Sequence, residues 1–438
     1  MSCASAETIS QALVQAYGAN PSLQQRRANV RAADENVGIA FSGFRPKVNA
    51  VGTAGALYLD SRVENVTSRA TLVPRTYGFT VQQNLFDGGR TFNSVRQAES
   101  QVFGARETMR EVEQNTLLGA AASYMNVLRD AAVVRLRRSN TLVLQEQLRQ
   151  TRERFRAGDV TVTDVWQAEA ALANARSDVD VSEANLQNSR ASYRQVVGRE
   201  PRNLEPAKSV ENLLPRKLDD AVQLSQVEHP AIAAALHDVD AAELAVKIAE
   251  GALLPNVSLT GNVSQAHDIV VARQRLLNVS VGGAVTVPLY QGGGEYASIR
   301  RAKEQVSETR LGADVVRDQV RAALVSAWGQ LEASKAQIAS AQVAARAAEL
   351  ALDSIRTEAR AGQRTTFDIL TAQQTLLNAR VTLVGAQRDR VVTSYSVLAS
   401  LGRLNPETLA LSVDTYDPTV HFEQVKGKPF GTRTADGR

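Results

Sequence analysis

Cysteine, aromatic residues, long apolar runs and, over two wide stretches, proline are what this chain has little of. The single cysteine, Cys3, in 438 residues excludes a disulfide framework and a thiolate metal site within one chain. Aromatics make up 5%, too few for a core built on ring anchors, so buried surface has to come from Ala, Val and Leu, the residues of helix–helix seams. No run of about 18 apolar residues occurs, so no transmembrane helix is encoded. Proline is missing between Pro74 and Pro201 and again between Pro288 and Pro406, as long unkinked helices require.

Other absences narrow the chemistry. Gly88-Gly89-Arg90 and Gly292-Gly293-Gly294 stand between strand and helix patterns, as phosphate loops do. Yet no G-x-x-x-x-G-K-[ST], dinucleotide fingerprint, H-E-x-x-H or G-x-S-x-G accompanies them. The four histidines, His229, His237, His267 and His421, are scattered; His229 and His237 read as a solvated pair and not as ligands. Trp166 and Trp328 read as packing residues of long helices. The expectation is a protein that is no enzyme and holds no cofactor or metal. The 50 basic and 46 acidic residues give a net charge of +4 and are interleaved along the chain, the pattern of solvated helices. No basic cluster with interleaved aromatics marks a nucleic-acid partner. Ala4-Ser5-Ala6 has the A-x-A form of a signal-peptidase site, so residues 1–6 are expected to be the remnant of a cleavage region.

What is present is a long internal repeat. Asn20-Pro21 recurs as His229-Pro230 and Arg45-Pro46 as Leu254-Pro255, both 209 positions on. Leu85-Phe86-Asp87-Gly88-Gly89 recurs as Leu289-Tyr290-Gln291-Gly292-Gly293, Ala157-Gly158 as Ala361-Gly362, and Gly198-Arg199 as Gly402-Arg403, all 204 on. The first copy therefore carries five extra residues between Pro46 and Leu85. The expected division is a first repeat over 7–201, a linker over 202–217, a second repeat over 218–406, and a polar tail over 407–438 whose last stretch is disordered.

Each repeat reads as helix, strand, loop, strand, very long helix, tight turn, long helix. The first helices are expected over Glu7 to Ser42 and Leu218 to Ala252. Period two marks the second strands: Tyr77, Phe79, Val81 and Leu85 oppose Gly78, Thr80, Gln82 and Asn84, and Leu277, Val279, Val281 and Val285 oppose Asn278, Ser280, Gly282 and Ala284. The polar stretch Asp60 to Arg69 reads as a loop. Beyond the glycine pairs the spacing changes to alternating 3 and 4, as in Val320, Leu324, Ala327, Leu331, Ser334, Ile338, Ala341 and Ala345, or Val165, Ala168, Leu172, Ala175 and Val179. That period means helices side by side in a left-handed supercoil. Only the ascending helix of the first repeat is irregular, with Asp130 and Arg137 on its seam. At the turns, Gly158 and Gly362 end one helix in a left-handed conformation, and Thr or Asp caps the next.

Four amphipathic strands cannot close a sheet around a pore, and an open sheet edge is prohibitive in lipid. Several copies must join. The helix from Phe92 to Phe155 would span roughly 95 Å, far enough to reach a second compartment.

The paired segments Gly158-(five residues)-Asp164-Val165 and Gly362-(five residues)-Asp368-Ile369-Leu370, the Leu-Phe-Asp-Gly-Gly and Leu-Tyr-Gln-Gly-Gly strand ends, and the duplication resemble the TolC family of outer-membrane factors over Glu7 to Pro406. The resemblance implies a mainly α fold with transmembrane β: a long coiled-coil helical barrel plus a trimer-shared 12-strand β-barrel, internally duplicated. It implies a homotrimer in outer-membrane lipid with its helical tube in the periplasm. Such a trimer is a passive exit duct for tripartite efflux or type I secretion, partnered by a periplasmic adaptor protein and an inner-membrane RND or ABC transporter. It also implies roles at the tip: Asp164, Arg364, Asp368, Thr163 and Thr371 at the periplasmic gate, with an Asp164–Arg364 ion pair and an acidic ring at Asp368, and adaptor docking at Gly158 and Gly362. Thr371 stands where the family has a second acidic ring. The competing expectation is a soluble periplasmic coiled-coil scaffold or adaptor.

Overall fold

The computed structural model describes residues 6–64, 66–434 and 437. Cys3 and, but for Ala6, the A-x-A motif lie outside them, as do Ala435, Asp436 and Arg438 of the tail. Two compact units divide the chain: Met1–Ala28, Glu107–Ala233 and Val315–Tyr416 form one, and Asn29–Arg106, Ala234–Asp314 and Asp417–Arg438 the other. Each unit draws on both halves of the chain.

Element lengths recur along the chain. Helices α1 (Ile9–Ala19) and α2 (Pro21–Phe41) precede strands β1 (Lys47–Ala54), β2 (Leu57–Val63), β3 (Val66–Leu72) and β4 (Arg75–Phe86), then helices α3 (Arg90–Arg156) and α4 (Val162–Val197). The later set is α5 (Leu218–Glu228), α6 (Pro230–Gly251), β5 (Asn256–His267), β6 (Arg275–Thr286), α7 (Gly294–Arg360) and α8 (Thr366–Ser400), followed by α9 (Pro418–Val425). Both α3 and α7 are unbroken over 67 residues.

The single first helix expected in each repeat is two helices. The residue before proline is pushed out of the helical region, and Asn20 (φ −67°, ψ 122°) and His229 (φ −71°, ψ 123°) are both extended. Proline then opens the next helix, where its missing N–H costs nothing. Asn20 Oδ1 accepts from Ser22 N at 2.9 Å and Leu23 N at 3.3 Å. His229 Nδ1 does the same for Ala231 N at 3.2 Å, and burial pushes its pKa down to about 4, which keeps that nitrogen an acceptor. His229 is thus a helix cap and no solvated histidine.

In the second unit, an antiparallel sheet runs in the order β1-β4-β5-β6. Its register places Ala50, Phe79, Val263 and Val279 in one row and Val48, Val81, Gly261 and Val281 in the next on the same face. Asn49, Thr80, Asn262 and Ser280 form a row on the other. The apolar face is uncovered: Phe79, Val263, Val279 and Val281 are all exposed. Among the described residues, β1 and β6 pair on one side only. The Asp60 to Arg69 stretch is not a loop. It forms the hairpin β2–β3, with Asp60 opposite Arg69 and their side chains bridged at 3.0 Å. The connection from β1 to β4 spans residues 55–74, against 268–274 between β5 and β6, and is long enough to pair with itself.

In the first unit, the heptad positions are the buried ones. Leu144 and Leu148 of α3 pack with Val165, Ala168, Leu172 and Ala175 of α4. Leu352 and Ala359 of α7 pack with Ile369 and Leu376 of α8. Leu370 reaches from the second hairpin onto the first cluster. The polar seam positions of α3 are satisfied across the seam. Asp130 accepts from Ser189, and Arg137 Nη1 donates to Asp178 O at 2.7 Å and Ser182 Oγ at 2.8 Å.

The tail carries structure that its polarity hides. Asp417 caps α9 through Thr419 N at 2.8 Å. Phe422 packs on Val37, Ala98 and Val102, and His421 Nδ1 lies 2.9 Å from the buried Asp34.

Candidate functional site

The two turns, Arg156 to Asp164 and Arg360 to Asp368, are built alike from the backbone upward. Gly158 (φ 84°) and Gly362 (φ 78°) occupy the left-handed region that glycine adopts without penalty. Around each, two bonds close the helix end: Gly158 N to Phe155 O at 3.0 Å with Asp159 N to Arg154 O at 2.9 Å, and Gly362 N to Ala359 O at 3.1 Å with Gln363 N to Glu358 O at 3.0 Å. These are the paired bonds of a Schellman turn. A Cβ on either glycine would meet open space, so both positions are set by backbone conformation and not by crowding.

Each descending helix starts with a reciprocal capping box. Asp164 Oδ2 accepts from Thr161 N at 3.0 Å and Thr161 Oγ1 at 2.7 Å, while Asp164 N donates to Thr161 Oγ1 at 3.4 Å. Asp368 does the same with Thr365 at 2.9, 2.8 and 3.2 Å. The Thr161 hydroxyl holds Asp164 below the usual carboxylate range, helped by the Thr366 hydroxyl from the second turn. The Thr365 backbone N–H and hydroxyl lower Asp368 likewise. Both carboxylates are therefore ionised at neutral pH and engaged within their own turns.

Arg364 Nε is bound to Glu358 Oε2 at 2.7 Å, and Glu358 raises its pKa. Within this chain Asp164 and Arg364 thus each have a local partner. Thr163 and Thr371 are exposed helix residues, and Thr371 O accepts from Thr375 Oγ1 at 2.9 Å. Thr366, buried at 4% exposure, brings the second turn to the first through its contact with Asp164. Trp166 is not a packing residue: it is 61% exposed, and Phe155, Val162 and Phe367 around the turns are exposed too. Sequence reasoning passed over this apolar surface. Trp166 is one position on from the seam residue Val165, and that offset was the available signal.

Long helical hairpins with capped turns, continuous in sequence with an open sheet that is apolar on one uncovered face, are the build of a channel subunit of the bacterial outer membrane. A family model described as outer membrane efflux protein matches residues 12–199 and again 221–403. The chain is 42% identical to the outer membrane efflux protein BepC of Brucella suis, over 99% of this chain and 93% of that one. It is 25% identical to the outer membrane protein TolC of Escherichia coli, over 93% of this chain and 85% of that one. The fold is shared with the CmeC outer membrane channel of Campylobacter jejuni, with a TM-score of 0.78 and 16% identity over 96% of this chain and 89% of that one. The chain belongs to the outer membrane efflux protein family, the TolC family of the resemblance. Its members are outer-membrane channels and not enzymes, and the soluble-scaffold alternative falls with that assignment.

Proposed function

We propose that three copies of this chain join their sheets, β6 of one against β1 of the next, into a single 12-strand β-barrel in the outer membrane. The helices continue as a tube on the periplasmic side. The trimer is a passive exit duct for efflux or type I secretion, partnered by a periplasmic adaptor and an inner-membrane RND or ABC transporter. One observation carries the reading: a 4-stranded open sheet exposes an apolar face and, among the described residues, leaves two edges unpaired. Lipid covers the face at no desolvation cost. It cannot satisfy the edge N–H and C=O groups, which neighbouring copies can. The neutral polar row Asn49, Thr80, Asn262 and Ser280 then lines water. The two repeats, 7–201 and 218–406, each contribute two strands and one helical hairpin to the wall; the family model's double match supports that division.

The turns serve as gate and dock. Asp164 and Arg364 exchange their local partners, Thr161 and Glu358, for each other when the duct closes, which makes the pair a two-state element. Such pairs are individually weak when exposed, and three copies bias the gate together. Asp368 forms an acidic ring at the entrance; Thr163 and Thr371 flank it. The open surface at Gly158 and Gly362, with exposed Phe155, Trp166 and Phe367 beside it, receives the adaptor.

The test is the oligomeric state of the purified protein in detergent and after detergent removal. A trimer that precipitates without detergent is expected. A stable monomer in detergent-free buffer overturns the reading. At the gate, Arg364→Ala is expected to raise closed-state conductance in a planar bilayer, and Asp368→Asn to weaken cation selectivity; unchanged values remove those two roles.

A further inference from the structure

The apolar face of the sheet ends in a basic row. Arg75, His267 and Arg275 are paired side by side across β4, β5 and β6. Each is two residues beyond the row of Tyr77, Gln265 and Leu277 on the same face. Along β1, β4, β5 and β6 the only other Lys, Arg, Asp or Glu is Lys47, which pairs with Gln82 at the opposite end and on the polar face. Charge on the apolar side is therefore confined to one rim, and that charge is positive.

The rim is organised and accessible. Tyr77 stacks on His267 with ring centres 5.9 Å apart, and its hydroxyl lies 3.4 Å from His267 Nε2. Arg75 Nη2 is 3.1 Å from Asp268 Oδ2, which leaves the rest of its guanidinium exposed. Asp268 also accepts from Arg273 N at 2.5 Å, which fixes the β5–β6 loop. That loop displays Ile269, Val270 and Val271, all exposed. Against Asp268 the rim carries Arg75, Arg275 and the nearby Arg273, an excess of positive charge without counting His267. The four helices joined in sequence to the sheet leave or enter it at the other end, since α2 and α6 precede β1 and β5 while α3 and α7 follow β4 and β6.

We infer that this rim binds the phosphate of a phosphorylated lipid whose acyl chains lie on the apolar face, at the helix-free end of the sheet. Arginine is the side chain that meets phosphate bidentately. A tyrosine at the boundary between apolar and polar surface is the usual membrane-interface anchor. The occupant is a lipid and not a free anion because Arg275 and Leu277 share one face two residues apart, about 7 Å along the strand. Only a molecule with both a phosphate and acyl chains meets both. The inference rests on the reading of the sheet as a bilayer wall, and with the helices on the periplasmic side it places the phosphates in the outer leaflet.

The test uses the full chain purified in detergent and incorporated into phosphatidylcholine nanodiscs. The discs contain either diphosphoryl lipid A or the same lipid with both phosphates removed, and retained lipid is measured by native mass spectrometry. Wild type is expected to retain the phosphorylated form about tenfold better, the ratio that one charge-assisted contact supplies. R75Q/R275Q is expected to lose that preference, and R75K/R275K to keep part of it. Equal retention of the two lipids by wild type overturns the inference, with or without a foldable variant. So does an unchanged preference in an assembled R75Q/R275Q, or full displacement by millimolar inorganic phosphate, which would mark an anion site without a lipid. Failure of the wall reading looks different: the wild-type chain would not enter the nanodiscs and would run as a monomer without detergent.

Discussion

The Tyr193 hydroxyl donates to Glu7 Oε1 at 2.7 Å, and Arg199 Nη2 meets the same oxygen at 2.7 Å. The second carboxylate oxygen accepts from Arg202 N at 3.1 Å. The Glu7 carbonyl takes the Tyr124 hydroxyl at 2.7 Å and Glu205 N at 3.0 Å. Burial, then the neighbouring Glu7, pushes the Tyr193 hydroxyl well above the ordinary tyrosine range, so it stays a donor at any working pH. One buried carboxylate thus ties the start of α1 to the end of α4 and to the linker that follows it.

Removing that carboxylate leaves the buried Tyr193 hydroxyl without its acceptor and Arg199 without its counter-charge. Glu7→Ala is expected to cost about 2–4 kcal/mol, and Tyr193→Phe about 1 kcal/mol, because Arg199 and Arg202 still hold Glu7. Urea unfolding of the detergent-solubilised protein measures both. Equal losses in the two variants would show that Glu7 is no hub.

Gly198 and Gly402 close α4 and α8 at matching points of the two repeats, with φ of 89° and 85°. Their surroundings differ. A Cβ on Gly198 would touch the Ala19 side chain at 3.4 Å, while one on Gly402 would meet His229 Cα at 2.7 Å and Glu228 O at 2.8 Å. Each alanine costs about 1 kcal/mol for the left-handed conformation. Gly402→Ala must also displace backbone that Arg403 holds through Glu228, adding about 1–3 kcal/mol. A larger fall in melting temperature for Gly402→Ala than for Gly198→Ala is expected; matching falls would mean that the α5–α6 junction yields freely.

How much of this was legible in the sequence follows from what each feature depends on. The seams were, because Leu324, Leu331 and Leu352 are buried by helix period alone. The alternation of β4 and β6 was, because the pleat sorts Phe79 from Thr80 without help. The breaks at Asn20 and His229 were signalled by Pro21 and Pro230, yet the apolar pattern runs through them and hid the hinge. The β2–β3 hairpin was not legible: its strands hold polar residues such as Asp60, Arg62 and Arg69 and are stabilised by pairing with each other, not by a buried face. The Arg364–Glu358 contact within this chain was not legible, because it is reached by folding back over the turn, which no linear spacing displays. The exposure of Trp166 was hidden too: a tryptophan on a seam-forming helix looks like core until the helix rotation is known.

The capping boxes give the hairpin tips a pH dependence of defined sign. Thr161 and Thr365 hold Asp164 and Asp368 below the ordinary carboxylate range. The stabilisation is therefore complete above that range and is lost as pH falls through the lowered values. Thr161→Ala and Thr365→Ala are expected to cost about 1 kcal/mol each in local stability at neutral pH. Hydrogen exchange of the amides after residues 161 and 365 should accelerate in the variants relative to the helix middles. It should also lose its dependence on the threonine in strong acid; tip protection that ignores both changes would assign the turns to packing instead.

Glu113 gives the opposite sign. Burial pushes its carboxyl from 4.5 up to about 7, with Arg27 opposing only in part. Arg27 is engaged elsewhere: its guanidinium lies over the Tyr17 ring at 4.5 Å and the Tyr416 ring at 5.2 Å. Between the two values the folded chain keeps a proton that the unfolded chain has released. Stability from this group therefore falls as pH rises from about 4.5 to about 7 and is level above that. Glu113→Gln mimics the protonated form. It is expected to melt with wild type near the acid end of the window and above it at pH 8, with the gap opening through the window. Melting curves that stay parallel from pH 5 to pH 8 would show Glu113 to be solvated and ionised throughout.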